Sequence, residues 1–268
     1  MGIGEAAALL GVGMAAGTIN VVVGSGTLVT FPTLLAFGYP PVVANVTNTV
    51  GLVSGSLSGI HGYRAEIGEF RSAGRGRLGA LVLASLLGAV TGALLLLVLP
   101  AKAFKAIVPA LIALALVLIV AQPRLAKRLA ARREAGGDGA AVRRGGWGVL
   151  AAVFGSGVYG GYFGAAQGVL LMAILGLTYA DRLQALNGVK NILACVVNAV
   201  AAVVFIAVGE LGIGGEHPSV RWGAALAIAV GALIGGQIGA GVGRRLSPKA
   251  LRGLIIVVGL VAIVSMLV

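Results

Sequence analysis

Apolar residues form eight long runs along the chain, separated by short polar or basic stretches. The runs cover residues 6–37, 42–61, 77–99, 104–121, 148–177, 183–208, 222–242 and 250–268. A helix needs about 20 consecutive apolar residues to cross the hydrocarbon core of a bilayer. The pattern therefore predicts an all-α polytopic membrane protein.

Two of these runs, 6–37 and 148–177, are longer than one membrane span and contain internal glycines. The candidate helix-break residues are Gly24, Gly26, Gly161 and Gly164. Glycine weakens a helix and permits a break or a turn. Each long run is therefore predicted to be a broken, re-entrant element, with half-helices beginning at Thr27 and Ala165. A pair of full spans is the alternative.

Polar residues recur at one spacing inside two of the apolar runs. The first set is Asn45, Asn48, Thr49 and Ser56, and the second set, at an offset of 142, is Asn187, Lys190, Asn191 and Asn198. The spacing i, i+3, i+4, i+11 places the members of each set on one face of a helix. The two stripes predict one site shared between two halves of the protein.

Other positions also match between the halves, in the same order along the chain. Gly17, Gly26 and Gly38 match Gly155, Gly164 and Gly176 at an offset of 138, Gly79 and Gly92 match Gly223 and Gly236 at 144, and Lys102 and Lys105 match Lys249 and Arg252 at 147. This order predicts a duplication of 1–121 and 148–268. The basic segment 122–147 is the predicted linker.

Charge and topology support this division. The 268 residues are 59% hydrophobic and 10% charged, with a net charge of +12. The basic residues lie in short loops, so the positive-inside rule explains the charge without a nucleic-acid partner. If both long runs are re-entrant, the stretches 62–77, 122–147 and 243–249 are cytoplasmic and both termini are outside. Three full spans in each half then give an inverted repeat, a plan found in secondary transporters.

Lys190 is the basic residue placed well inside a predicted span. A buried charge is costly in a bilayer, so a lysine there usually faces a cavity. We expect it to bind an anion together with Asn187 and Asn191. The alternative is that its side chain reaches the membrane interface. The remaining substrate-binding candidates are Asn45, Asn48, Thr49 and Asn198 of the stripes and Ser25, Thr27 and Gln167 beside the breaks.

Glycine ridges and loop charges predict packing rather than chemistry. The ridges Gly231, Gly235, Gly239, Gly243 and Gly51, Gly55, Gly59 have the GxxxG spacing of helix–helix contacts, and they leave a homodimer open. His61 is expected at the membrane interface. Adjacent Asp181 and Arg182 predict a local ion pair.

Enzymatic chemistry has little support in the sequence. Cys195 is the single cysteine, the two histidines are far apart, and no metal-ligand cluster or nucleophile–base pair stands out. We therefore predict no catalytic residue, no metal and no cofactor. The partners expected are a small anionic substrate and the lipid bilayer. A channel and, with less support, an intramembrane enzyme are the alternatives to a carrier.

Several of these segments resemble a known family. The stretch from Gly17 to Pro32, the stretch from Gly38 to Asn45 followed by Thr47 and Thr49, and the second-half stretches Gly155 to Gly176 and Ala185 to Asn191 are similar to TauE/SafE (sulfite exporter-like) permeases. The second copy differs, with Leu170 in place of Pro32 and Lys190 in place of Asn48. The resemblance implies alternating-access transport, in the export direction, of sulfite or a sulfonate-like anion across the plasma membrane.

Overall fold

A computed structural model describes residues 1–72, 76–135, 146–211, 219–241 and 248–267. These residues form eleven helices and no strand. The helices are α1 (Ile3–Val22), α2 (Thr27–Ala36), α3 (Pro41–Gly62), α4 (Arg64–Ser72), α5 (Arg77–Val98), α6 (Ala101–Ala135), α7 (Trp147–Tyr162), α8 (Gln167–Thr178), α9 (Leu183–Leu211), α10 (Trp222–Gly241) and α11 (Pro248–Leu267). The prediction of an all-α fold is confirmed.

Five helices of the described ranges, α1, α5, α6, α9 and α10, are long and apolar enough to cross a membrane. The protein is therefore a multi-pass membrane protein. Helix α3 has 22 residues but is not among the five, and its residues Asn45, Thr47, Asn48 and Thr49 are all buried. These polar residues lower the hydropathy of a helix whose stripe faces other helices rather than lipid.

The long run 6–37 is a helical hairpin made of α1 and α2. The loop after α2 returns to the beginning of α1, where the Tyr39 hydroxyl donates a 2.6 Å hydrogen bond to Oε1 of Glu5. The start of α10 lies near this loop as well. The N–H of Arg221 donates to Oγ1 of Thr47 in the second turn of α3, which follows the loop. We call this part of the molecule the N-terminal end.

The run 148–177 forms the matching hairpin of α7 and α8. Tyr179, which follows α8, packs in one cluster with Val149 and Leu150 near the start of α7. Tyr179 also contacts the Phe70 ring of α4, at 5.5 Å between ring centroids. We call this part the linker end. It lies opposite the N-terminal end, because α3 and α10 run side by side from Thr47 and Arg221 to Gly62 and Ala240.

Glycines allow helices of different halves to approach closely. In α10, Gly235 and Gly239 lie against the main chain of Met14 and Thr18 in α1. In α5, Gly88 and Gly92 lie against the main chain of Phe154 and Val158 in α7. The contacting positions differ by 140 residues between α1 and α7 and by 147 residues between α5 and α10. The glycine matches in the sequence have offsets of 138 and 144.

The predicted glycine ridges are helix–helix contacts within the chain. Gly231 packs on Leu10, and Gly51, Gly55 and Gly59 pack on Ile228, Ala232 and Val21. Gly243 lies outside the described residues. A methyl group on any of these packed glycines would meet a neighbouring helix, so the close approach requires glycine.

Two ion pairs at the linker end join the halves. Arg77 contacts Asp181 at 2.6 Å, and Arg182 contacts Glu69 at 3.5 Å. The predicted local pair between Asp181 and Arg182 is therefore wrong. Asp181 and Arg182 turn toward α5 and α4, and the guanidinium of Arg77 also lies over the Phe70 and Tyr179 rings.

The predicted linker 122–147 begins as helix. Helix α6 does not end at residue 121 but continues to Ala135, past Pro123. Residues 136–145 lie outside the described ranges, and α7 begins at Trp147.

Candidate functional site

Both hairpins turn at a glycine with a left-handed backbone. Gly24 has φ 86° and Gly164 has φ 76°, and each N–H bonds to a carbonyl five residues earlier, that of Ile19 or Tyr159. Such a residue ends a helix, and glycine adopts this conformation without steric cost. The two breaks therefore have the same backbone geometry, 140 residues apart in the chain.

Two of the predicted break positions need correction. Gly161 is the penultimate residue of α7, where the lack of a side chain lets α7 pack on Ala89 of α5. The second half-helix begins at Gln167 rather than Ala165, because Ala166 has φ 58° and lies outside α-helical space. Gly26 is the N-cap of α2, as expected of a residue in the first break.

The two breaks touch each other. The N–H of Gly168 in the first turn of α8 donates a 3.0 Å hydrogen bond to the carbonyl oxygen of Gly24. A Cβ on either glycine would collide with the main chain of the other. Non-helical backbone at membrane depth must find partners inside the protein. Each break thus supplies part of the other's hydrogen bonding.

Residues of the polar stripes donate hydrogen bonds to the C-terminal ends of α7 and α1, beside the turns of the two hairpins. Asn45 of α3 donates to the carbonyl of Tyr162 at 3.0 Å, and Asn187 of α9 donates to the carbonyl of Val21 at 3.3 Å. The last carbonyls of a helix have no partner within the helix. Asn45 and Asn187, the first members of the two stripes, therefore satisfy the ends of α7 and α1.

Lys190 also binds the C-terminal end of α1. Its Nζ donates to the carbonyl oxygens of Asn20 at 3.1 Å and Val21 at 2.9 Å, and the side chain is 0% exposed. This excludes the side chain reaching the membrane interface. A cation is favourable at the C-terminus of a helix, where the macrodipole is negative. An ammonium has three donors, and these two carbonyls account for two of them.

Asn48 holds the position of Lys190 in the first stripe, and it binds two residues of the neighbouring helix α2. Asn48 accepts a short hydrogen bond from the Thr30 hydroxyl and donates to Oγ1 of Thr27 at 3.3 Å. Thr49 donates to the carbonyl of Asn45 in the preceding turn of α3. The first stripe is therefore neutral, and its residues Asn48 and Thr49 bind within α2 and α3, whereas the second stripe carries Lys190.

Equivalent residues of the two stripes also meet directly. Nδ2 of Asn198 donates to Oγ of Ser56 at 3.4 Å, and Nδ2 of Asn20 reaches the same oxygen at 3.4 Å. The two stripes therefore meet at Ser56 and Asn198. Asn20 is a site residue that the stripe spacing does not reveal, although it is the polar residue four positions before Gly24.

Four predicted site residues carry a buried polar atom that has no partner in the structure. These atoms are Ser25 Oγ, Asn45 Oδ1, Gln167 Nε2 and Asn191 Nδ2. Ser25 and Gln167 flank the contact between the breaks, and Asn191 lies one residue after Lys190. An unsatisfied polar group in an apolar environment costs free energy. They are the groups best placed to bind a polar ligand.

The site has a positive electrostatic character. Among the side chains that the structure describes, Lys190 is the charged group in the buried set, which contains no carboxylate. Groups of His, Cys, Asp and Glu that could hold a metal are also lacking among the described residues. The arrangement offers an anion one ammonium and several amide or hydroxyl groups.

Comparison with protein families matches almost the whole chain to one model. The model, described as "Sulfite exporter TauE/SafE", covers residues 9–266. Comparisons with curated proteins and with solved structures give no match. The matched range includes both helix breaks and both polar stripes, and on this evidence the chain belongs to the sulfite exporter TauE/SafE family.

Proposed function

We propose that the protein is a secondary carrier that exports a small sulfur oxyanion, sulfite or a sulfonate, across the plasma membrane. The observation that carries this proposal is the position of Lys190, a fully buried charge beside the contact of two broken helices. Family membership supports transport of this substrate class. Recognition is assigned to Lys190 together with Ser25, Gln167 and Asn191.

Alternating access follows from an inverted repeat. The α1–α2 hairpin enters from the N-terminal end and the α7–α8 hairpin enters from the linker end. Helix pairs also exchange between the halves, since α1 packs on α10 and α7 packs on α5. Two halves related in this way can rock about a central site and open it to either side.

The proposed topology places the linker end in the cytoplasm and the N-terminal end outside. Arg64, Arg71 and Arg77 lie at the linker end, which supports this orientation by the positive-inside rule. Single cysteines at exposed Ser72 and Lys102, in a Cys195→Ala background, would be labelled with a membrane-impermeant maleimide. We expect labelling of intact cells at Lys102→Cys alone. Labelling at Ser72→Cys would contradict the orientation.

The membrane potential is sufficient to drive export. An anion leaving an inside-negative cell gains about 2.3 kcal/mol per charge for each 100 mV. A carboxylate proton relay has no candidate among the described buried side chains. We therefore propose uniport of the anion without a coupling proton.

The experiment that tests the proposal is counterflow in proteoliposomes loaded with unlabelled sulfite, methanesulfonate, sulfate or chloride. A carrier for sulfur oxyanions gives saturable uptake of labelled sulfite that is stimulated by internal sulfite and methanesulfonate. Flux that neither saturates nor shows counterflow indicates the channel alternative. Conversion of the sulfite to another compound would indicate the enzyme alternative. A homodimer remains a separate proposal, which the mass of the detergent-solubilised protein tests.

A further inference from the structure

An open cavity of about 610 Å³ lies at the N-terminal end, outside the central site. Its walls are the start of α1, the loop between α2 and α3, and the start of α10. The side chains that matter are Glu5, Phe37, Tyr39, Arg221 and Trp222. Small-molecule sites have volumes of about 300–1,000 Å³, so the cavity can accept an oxyanion with an organic group.

We propose that this cavity, which we call the vestibule, is a second anion-binding site in which Arg221 binds a sulfonate or sulfite group. The main-chain N–H and carbonyl of Arg221 both form hydrogen bonds. Its N–H donates to Thr47 Oγ1 at 3.1 Å, and its carbonyl accepts the N–H of Ala225 at 2.9 Å in the first turn of α10. The guanidinium therefore extends from a rigid position.

The acidic residue of the vestibule is already engaged. Glu5 accepts the 2.6 Å hydrogen bond from the Tyr39 hydroxyl. Burial and this hydrogen bond raise the pKa of Tyr39 to about 12, so the phenol stays protonated and keeps donating to Glu5. Within the described ranges, no carboxylate lies within 4 Å of the Arg221 guanidinium, which leaves its five donors open to a ligand.

The linker end offers a contrast, because its arginine is paired with a carboxylate. There the Arg77 guanidinium contacts Asp181 at 2.6 Å and lies 4.0 Å from the Phe70 ring centroid. The loop between α2 and α3 corresponds to the loop between α8 and α9 at an offset of 142. Helices α2 and α8 end at residues 36 and 178, and helices α3 and α9 begin at residues 41 and 183. By this offset Tyr39 is equivalent to Asp181. The position that holds a carboxylate at the linker end, Asp181, thus corresponds to an uncharged residue, Tyr39, in the vestibule.

The chemistry of the vestibule fits an organic sulfonate. A guanidinium binds oxyanions through paired N–H donors. Phe37 and Trp222 are exposed beside it and offer apolar surface to the organic part. The role of the vestibule as the outer release site rests on the proposed function, whereas anion binding there does not.

The test uses Trp222 as a reporter in the detergent-solubilised protein. Because the chain has two tryptophans, a Trp147→Phe background makes Trp222 the only one. The fluorescence would be titrated with methanesulfonate and, as an uncharged control of similar size, with dimethyl sulfone. We expect a saturable change with methanesulfonate alone, and about tenfold weaker binding in Arg221→Gln. Arg221→Lys should bind with intermediate affinity.

The variant Asn191→Ala separates the vestibule from the central site. It should leave the Trp222 titration unchanged. Equal affinity in wild type and Arg221→Gln would overturn the proposal, as would a signal lost in Asn191→Ala but kept in Arg221→Gln. If counterflow is absent while Trp222 still reports methanesulfonate binding, the proposed transport function fails and the vestibule stands.

Discussion

The main-chain N–H of Gly168 donates a hydrogen bond to the carbonyl of Gly24, so the turns of the two hairpins are in direct contact. Gly24 follows α1, and Gly168 lies in the first turn of α8. A movement of one hairpin therefore displaces the other at this contact, where the polar stripes also meet. This contact is the structural basis for assigning the site to both halves rather than to one.

Replacing Gly24 with alanine should strongly destabilise the protein. Gly24 has φ 86°, and an added Cβ would collide with the main chain of Gly168. Gly38 is the matched control, because it has φ 83° but open space where a Cβ would lie. A left-handed alanine alone costs roughly 1–2 kcal/mol. We expect Gly24→Ala to lower the melting temperature well below that of Gly38→Ala, and equal melting temperatures would contradict the close contact.

The packing of α1 on α10 should depend on Gly235. A methyl group there would overlap the carbonyl of Met14, and overpacking typically costs about 1–3 kcal/mol. Gly155 is a helical glycine with open space where a Cβ would lie, so alanine there should be neutral or gain up to about 1 kcal/mol. Thermal unfolding in detergent compares the two variants. A Gly235→Ala protein as stable as Gly155→Ala would argue against the observed interface.

Arg77 and Asp181 should be energetically coupled across the halves. Their side chains are 19% and 17% exposed, which limits solvent screening. A double-mutant cycle with Arg77→Gln and Asp181→Asn should give a coupling of about 1–2 kcal/mol. The exposed pair of Arg182 and Glu69, separated by 3.5 Å, should give less than about 0.5 kcal/mol. Equal coupling energies in both cycles would contradict the expected larger contribution of the Arg77–Asp181 pair.

Stability at alkaline pH should depend on Tyr39. Its pKa is raised to about 12 in the folded protein, above the usual value of about 10. The protonated phenol therefore stabilises the fold below pH 10, and this contribution is lost as the pH rises from about 10 to 12. Tyr39→Phe should flatten the decrease of melting temperature over that range. A decrease as steep as in wild type would mean that other groups cause it.

The sequence predicts more of the secondary structure than of the site. Helix-length apolar runs and glycine interruptions are local features, and they correctly indicate the breaks at Gly24 and Gly164. The prediction of a break at Gly161 is wrong because a glycine that ends a helix and a glycine that packs on a neighbour look alike in sequence. The difference lies in the backbone angle and in the position of Ala89.

The partners of the polar side chains depend on tertiary structure and could not be predicted. The spacing of Asn187 and Lys190 indicates one face of α9, yet the carbonyls they bind belong to α1. Similarly, Asp181 lies next to Arg182 in sequence but binds Arg77, 104 residues away. Sequence proximity favours local pairs, whereas the tertiary fold brings distant segments together.

The N–H groups of Lys190 satisfy the end of α1, and the proposed function assigns to its charge the recognition of the transported anion. Lys190→Gln separates these roles, because a glutamine amide can still donate two N–H groups to the carbonyls of Asn20 and Val21 but has no charge. Lys190→Arg, which keeps the charge, is the control. Melting temperatures of both variants in detergent show whether they fold.

The decisive measurement is the initial rate of sulfite uptake by proteoliposomes that contain equal amounts of folded wild-type, Lys190→Gln and Lys190→Arg protein. A hydrogen bond to a charged group contributes about 1.5–3 kcal/mol, so we expect Lys190→Gln to lower the rate at limiting sulfite by about tenfold or more. Lys190→Arg should retain more transport than Lys190→Gln. A folded Lys190→Gln protein that transports sulfite at the wild-type rate would overturn the role of the charge and leave Lys190 as a structural cap of α1.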